Sequence, residues 1–269
     1  TMELLDGFGA GTKKSLSLLP YKPIIPLVTA VLVNKDYNNL RIDAKASIAQ
    51  KIKHFFFYTA LTSRYTEGTD NKLREDYQIV LRWITSNQVP SLVSNGILWN
   101  TSKYISSTKK SAFGKAVLCL INAQNPRDFY EDKNVGIGEN TVSSQIHHIF
   151  PEAEYKQKKG ENINSVFNHT FLTNEANNFI SDKLTYRYVD EIMDLRGISK
   201  ESFEEILYKH IIDSSSFEYM YKEDFDNFLL QRAECIKNKF IEIGIKIHDV
   251  AKEQIDEQVD DEDLVNEIE

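Results

Sequence analysis

Two of the six histidines, His147 and His148, stand side by side in the stretch QIHHIFPEAEY, residues 145–155. Imidazole can take a proton near neutral pH or bind a metal through a neutral ring nitrogen. Amide and carboxylate oxygens suit hard divalent ions such as Mg²⁺ or Mn²⁺. Asn168 lies 20 residues beyond His148, and Asn177 and Asn178 follow it at 9 and 10 residues. Phosphodiester hydrolysis needs such groups: a base to activate water, a cation to take up charge on the phosphate and leaving oxygen, and donors that hold the phosphate in line. In this reading one imidazole binds one divalent ion while its neighbour takes the proton, and an amide from Asn177 or Asn178 completes the ion's site. Successive strand residues face opposite ways, so the pair shares a site only at a strand end or a bulge.

The elements that must position these groups lie between residues 141 and 184. TVSSQIHHIF has short-strand character, KQKKGEN reads as a polar loop, and INSVFNHTFLT reads as a second strand holding Asn168. Thr173 or Asn174 then caps a short helix, NEANNFISDKL. Strand, loop, strand and helix make a compact ββα unit inside a mainly α chain. Upstream, Ile48, Ile52, Phe55, Phe56 and Leu61 recur at helical spacing, as do Leu73, Tyr77, Val80, Leu81 and Ile84. The run Phe55-Phe56-Phe57 is expected in the interior, and Arg64, Arg74 and Arg82 in surface ion pairs. SSTKKSAFGKAVLCLINAQ is a further helix with Lys109, Lys110 and Lys115 near its start, where lysines oppose the helix dipole and favour an anionic partner. Downstream, YRYVDEIMDLRG, SKESFEEILYKHII and a long segment from Ser216 to Ala251 return to helix. His54, His210 and His248 fall in helices without a histidine at i+4 and read as structural. The chain therefore divides into a helical region 1–140, the ββα unit 141–184, C-terminal helices 185–251 that pack on the core, and a tail 252–269.

That tail, KEQIDEQVDDEDLVNEIE, carries nine acids against one lysine, which accounts for the whole net charge of −8. It reads as a solvated, disordered segment, and the remainder of the chain is electrically neutral. Cys119 and Cys235 are too far apart in sequence for a zinc knuckle and imply no disulfide framework, so a reducing, cytoplasmic compartment fits. No apolar run is long enough for a membrane span. GFGAGTKK at 7–14 has the wrong spacing for a phosphate-cradling loop and reads as a flexible N-terminal loop.

HHIFP at 147–151, INSVFNHTFLT at 163–173 and NEANNFISDK at 174–183 together resemble the HNH, or ββα-metal, nuclease motif. The wording is similar to the C-terminal nuclease domain of the GmrSD family of modification-dependent restriction proteins. Weaker likeness extends upstream through FFFYTALTSRYTEGTDNKLREDYQIVLRWI. The resemblance implies that His148 is the general base, that His147 is a metal ligand, and that Asn168 braces the loop that orients the base. It implies Asn177 or Asn178 as the second ligand to one Mg²⁺ or Mn²⁺ ion, with Lys183 near a phosphate. Many relatives carry a carboxylate at the position of His147; nuclease colicins share the paired histidines. The family implies double-stranded DNA as substrate, modified phage DNA as trigger, 5′-phosphate and 3′-hydroxyl products, and a ParB-like nucleotide-hydrolysing domain or subunit N-terminal to this chain. A helical adaptor that keeps the ββα frame for DNA or partner binding is the rival reading, which the neutral body favours. RNA is a third possible substrate on the phosphate chemistry alone.

Overall fold

A computed structural model describes residues 1–250, so the acidic stretch 252–269 lies outside the described residues. In chain order the elements are α1 (Met2–Asp6), α2 (Ile24–Asn34), α3 (Ile42–Leu61), α4 (Thr69–Ser86), α5 (Ser91–Ser94), β1 (Ile97–Trp99), α6 (Thr101–Ile105) and α7 (Ala112–Asn122). They continue with β2 (Gln145–His148), α8 (Glu152–Lys159), β3 (His169–Leu172), α9 (Asn174–Ile180), α10 (Thr185–Arg196), α11 (Lys200–Tyr208), α12 (Ser214–Tyr221), α13 (Phe225–Glu242) and β4 (Ile247–Asp249). The protein is mainly α, as its helical periodicities require.

The core grows from α3, α7 and α13. Phe55, Phe56 and Phe57 on α3 are all buried, as expected, and each contributes roughly 1.5–3 kcal/mol of apolar burial. Phe57 meets Phe240 of α13 at a ring distance of 5.7 Å, and Phe240 meets Phe113 of α7 at 6.4 Å. Phe113 in turn packs edge-on against Phe167, just ahead of β3, at 5.9 Å. The two halves of the chain also share a sheet: β1 pairs in parallel with β4, with Trp99 opposite Asp249. Arg64 turns inward to grip the buried Asp76, which also accepts from the Tyr65 hydroxyl at 2.7 Å.

Several expectations are corrected. The stretch read as the loop KQKKGEN begins inside α8. Glu152 pairs with Lys156 and Glu154 with Lys158 at i,i+4, and acids in the first turn with lysines in the last complement the dipole. INSVFNHTFLT is a strand only from His169; before it come 3₁₀ turns at Gly160–Asn164 and Val166–Asn168, with Ser165 Oγ accepting from Phe167 N. Asn168 thus precedes the second strand. Side-chain bonds to nearby backbone compete with a ladder, and here they win. The long C-terminal helix is broken at Glu223, whose φ is +61°, into α12 and α13, and His248 sits on β4 instead of a helix. GFGAGTKK is packed: Phe8 and Ala10 are buried, and a Cβ on Gly9, at φ +86°, would lie 2.0 Å from the Cys119 carbonyl oxygen.

Candidate functional site

Strands β2 and β3 run antiparallel, with His147 opposite Thr170 and His148 opposite His169. Opposed residues share a face, so the register divides the histidine pair: His148 lies with His169, their rings 4.3 Å apart, and His147 lies with Thr170. β2 ends at His148, and the chain then turns into the buried Ile149-Phe150 and Pro151.

The turn is held from three sides. Asn168 is fully buried; its Oδ1 accepts from Phe150 N at 2.9 Å, and its Nδ2 donates to Phe150 O at 3.1 Å and Ile163 O at 3.0 Å. Its own carbonyl accepts from Ile149 N at 2.8 Å. The buried Tyr188 hydroxyl on α10 donates to Ile149 O at 2.9 Å. Every backbone polar group of Ile149 and Phe150 is thereby committed, which fixes the strand end carrying His148.

Nε2 of His148 lies 3.3 Å from Oδ1 of Asn164. In the tautomer with its proton on Nε2, the ring donates to that oxygen and Nδ1 keeps its lone pair. Burial lowers the His148 pKa; Asn164 and Glu152 oppose that shift, while Lys109 and Lys156 add to it. The His147 pKa is lowered by burial, then by Lys109 and by His148. Both shifts favour the neutral ring. Nε2 of His147 is buried with no hydrogen-bond partner among the described residues.

His148 opens onto a cleft of about 550 Å³ between α8 and α9, together with Pro151, Glu152, Lys156, Asn177 and Ser181. Asn177 is half-buried and lines this cleft, whereas Asn178 is exposed and does not. His147 is outside the cleft lining. Lys183 is directed away: Nζ lies 2.6 Å from Glu191 and 3.7 Å above the Phe179 ring. The structure thus joins His148, Asn168 and Asn177, leaves His147 on the opposite face of the strand pair, and separates Asn178 and Lys183 from them.

Among the described residues no three His, Cys, Asp or Glu side chains form a ready metal cluster. One imidazole and one amide suit an ion that keeps several waters, as Mg²⁺ does. The orphaned, buried Nε2 of His147 is the kind of atom such an ion would satisfy, but it lies on the opposite strand face from the cleft; within the cleft the oxygens of Asn177 and Glu152 beside His148 are the donors that fit one. Asn164, Glu152, Lys156 and Tyr188 were not singled out from the sequence. Glu152 and Lys156 had a signal, since acid and lysine stand at i,i+4 directly after Pro151; Asn164 and Tyr188 act through contacts that spacing does not reveal.

No family model matches the chain, and no solved structure matches it. An uncharacterized protein of Methanocaldococcus jannaschii is 28% identical over 243 residues, covering 85% of this chain and 39% of that relative. The chain spans about two fifths of the length of the curated relative it matches. No helix of the described residues is long and apolar enough to cross a membrane.

Proposed function

We propose that this chain is a metal-dependent HNH DNA endonuclease, with the ββα arrangement of β2, β3 and α9 as its nuclease unit. The observation that carries this reading is Asn168, whose buried amide clamps the two residues that follow His148. A central asparagine used in this way orients a base, and His148 is the neutral imidazole at the clamped strand end, in one cleft with Asn177. His148 accepts the proton of the attacking water at Nδ1. The resemblance gives His147 and Asn177 to one Mg²⁺ or Mn²⁺; of the two only Asn177 lines the cleft with His148, so an ion there would rest on Asn177 and the neighbouring Glu152, with His147 on the opposite strand face. When bound, the ion neutralises charge on the phosphate and the leaving oxygen, giving 5′-phosphate and 3′-hydroxyl ends.

The reading extends to a cytoplasmic effector half of a GmrSD-like system directed at modified phage DNA, with a ParB-like nucleotide-hydrolysing domain or subunit as partner. The greater length of the archaeal relative leaves room for such a domain. Supercoiled plasmid cleavage by the purified chain and by His148→Ala, with Mg²⁺, Mn²⁺ or EDTA, tests the reading. The expected result is nicked or linear product only with metal, reduced on the order of 10²- to 10⁴-fold in the variant. Equal product from both proteins removes His148 from the chemistry. DNA binding without cleavage by either supports the adaptor.

A further inference from the structure

We infer that Lys109 is a phosphate-holding residue of this site, reaching the backbone of bound DNA beside the histidine pair. This inference rests on the nuclease reading above and names a contact that the sequence motif does not contain.

Lys109 is half-buried on the segment that leads into α7, and its Nζ donates to the carbonyl of Ile146 at 3.2 Å, one residue ahead of His147. An ammonium group has three donors and no acceptor. One donor is used on that carbonyl, and the other two have no partner among the described residues. No described carboxylate lies within ion-pair distance of it; Glu152, whose charge reaches Lys109, is committed to Lys156 at 2.8 Å. The lysines of α8 differ, because Lys156, Lys158 and Lys159 all have acidic partners.

A half-buried cation without a counterion is costly, and burial does lower the Lys109 pKa, followed by the like charge of Lys110, with Glu152 opposing. Its charge also reaches both imidazoles, so it stands close to the ring that the nuclease reading gives to activating water. Lys109 and Lys110 precede the positive end of α7, whose first turn holds no acid. An anion arriving here relieves all of these unfavourable terms together.

The segment is also rigid before any ligand binds. Thr108 bridges to Ser165, and Ser107 O accepts from Val166 N at 2.8 Å, next to Asn168. Gly114 lets α7 close on this segment: a Cβ there would lie 2.0 Å from the Thr108 carbonyl oxygen. The same 3₁₀ turn region that carries Asn168 therefore fixes the backbone of Lys109. A donor held in advance near developing negative charge is what stabilises a phosphoryl transition state.

The experiment compares the full chain with Lys109→Met, Lys109→Arg and, as a remote control, Lys35→Met, after circular dichroism and melting show equal folding. Cleavage of a labelled duplex with Mg²⁺ or Mn²⁺ gives kcat and KM, and fluorescence anisotropy in EDTA gives Kd against salt concentration. Lys109→Met is expected to lower kcat on the order of 10²-fold and to reduce the log Kd against log salt slope by about one unit, with Lys109→Arg recovering most of both. A wild-type rate and slope in Lys109→Met, while His148→Ala is inactive, overturns the role of Lys109 and leaves the nuclease reading standing. If the wild-type chain cleaves nothing with either metal, the nuclease reading falls and the slope alone decides: loss of one unit keeps Lys109 as a phosphate contact, and an unchanged slope overturns it.

Discussion

His169 and His210 are imidazoles that the fold can use only in their neutral form. His210 is fully buried, receives the Thr170 hydroxyl proton at Nδ1, and donates from Nε2 to Arg127 O at 2.7 Å. His169 donates from Nδ1 to Ser165 O at 2.7 Å, and its Nε2 is buried without a partner among the described residues. Burial pushes each pKa from the ordinary 6.5 down to about 3, with His148 adding to the shift at His169 and Arg232 to the shift at both. A folded pKa below the unfolded one means that protons bind the unfolded chain preferentially. The stability is complete above about pH 6.5 and is lost as pH falls through the window between 6.5 and 3. From pH 7 to pH 5 each of these rings costs about 2 kcal/mol, while most unfolded carboxylates, titrating near pH 4, remain ionised. Urea midpoints are therefore expected to fall steeply over those two pH units, and His210→Gln, although less stable at pH 7, is expected to lose about 2 kcal/mol less across them. A midpoint independent of pH in that window would mean that these rings are not buried neutral.

At the scale of elements, the contact that matters is between α7 and the segment 107–109. Gly114 is inside a helix, where Ala is favoured over Gly by about 1 kcal/mol. Its Cβ would lie 2.0 Å from the Thr108 carbonyl oxygen and 3.1 Å from the Lys109 Cα, both backbone atoms. Forcing them apart costs typically 1–3 kcal/mol or more and displaces Lys109 from the strand pair. Gly114→Ala is thus expected to melt about 4–8 °C below the wild type, the reverse of its helix propensity, in a thermal scan followed by circular dichroism. A raised melting temperature would contradict the close approach. This contact was not legible in the sequence, because nothing in KKSAFGKAV says which carbonyl the glycine meets. The helices around Phe55–Phe57 and Val80 were legible from spacing, since a buried stripe repeats every three or four residues. So was the gathering of His148, Asn168 and Asn177 around one strand end, which their types and separations suggest. The extent of β3 was not: Ser165 and Asn168 bind nearby backbone and replace a ladder with 3₁₀ turns, although the residues themselves favour strand. The register that divides His147 from His148 follows from pairing partners about 20 residues away.

For the whole molecule, Arg232 shows how the C-terminal helices are joined to the strand pair. It is fully buried on α13; Nη1 donates to Phe167 O at 2.5 Å and His169 O at 3.0 Å, and Nη2 donates to His210 O at 2.9 Å. One guanidinium thus ties α13 to the entry of β3 and to the end of α11, with Asn168 between two of its partners in sequence. The same α13 carries Phe240, which meets Phe57 of α3 and Phe113 of α7, so strain at Arg232 is transmitted through one continuous core. Lysine keeps the charge but has no planar fork and cannot satisfy three carbonyls that face a fixed guanidinium. Carbonyls left unpaired in the interior cost about 1–3 kcal/mol each, so Arg232→Lys is expected to lose about 3 kcal/mol or more of stability. If the chain unfolds as one body, that loss appears equally in distant elements. Hydrogen exchange followed by mass spectrometry should then show protection falling by the same free energy in peptides from α3 and from α13. Protection lost in α13 alone, with α3 unchanged, would mean that the N-terminal helices hold together without the C-terminal ones. That result would make the helical region before the strand pair a separate folding unit, joined to the rest by the β1–β4 pairing and the Phe240 contacts without sharing its cooperativity.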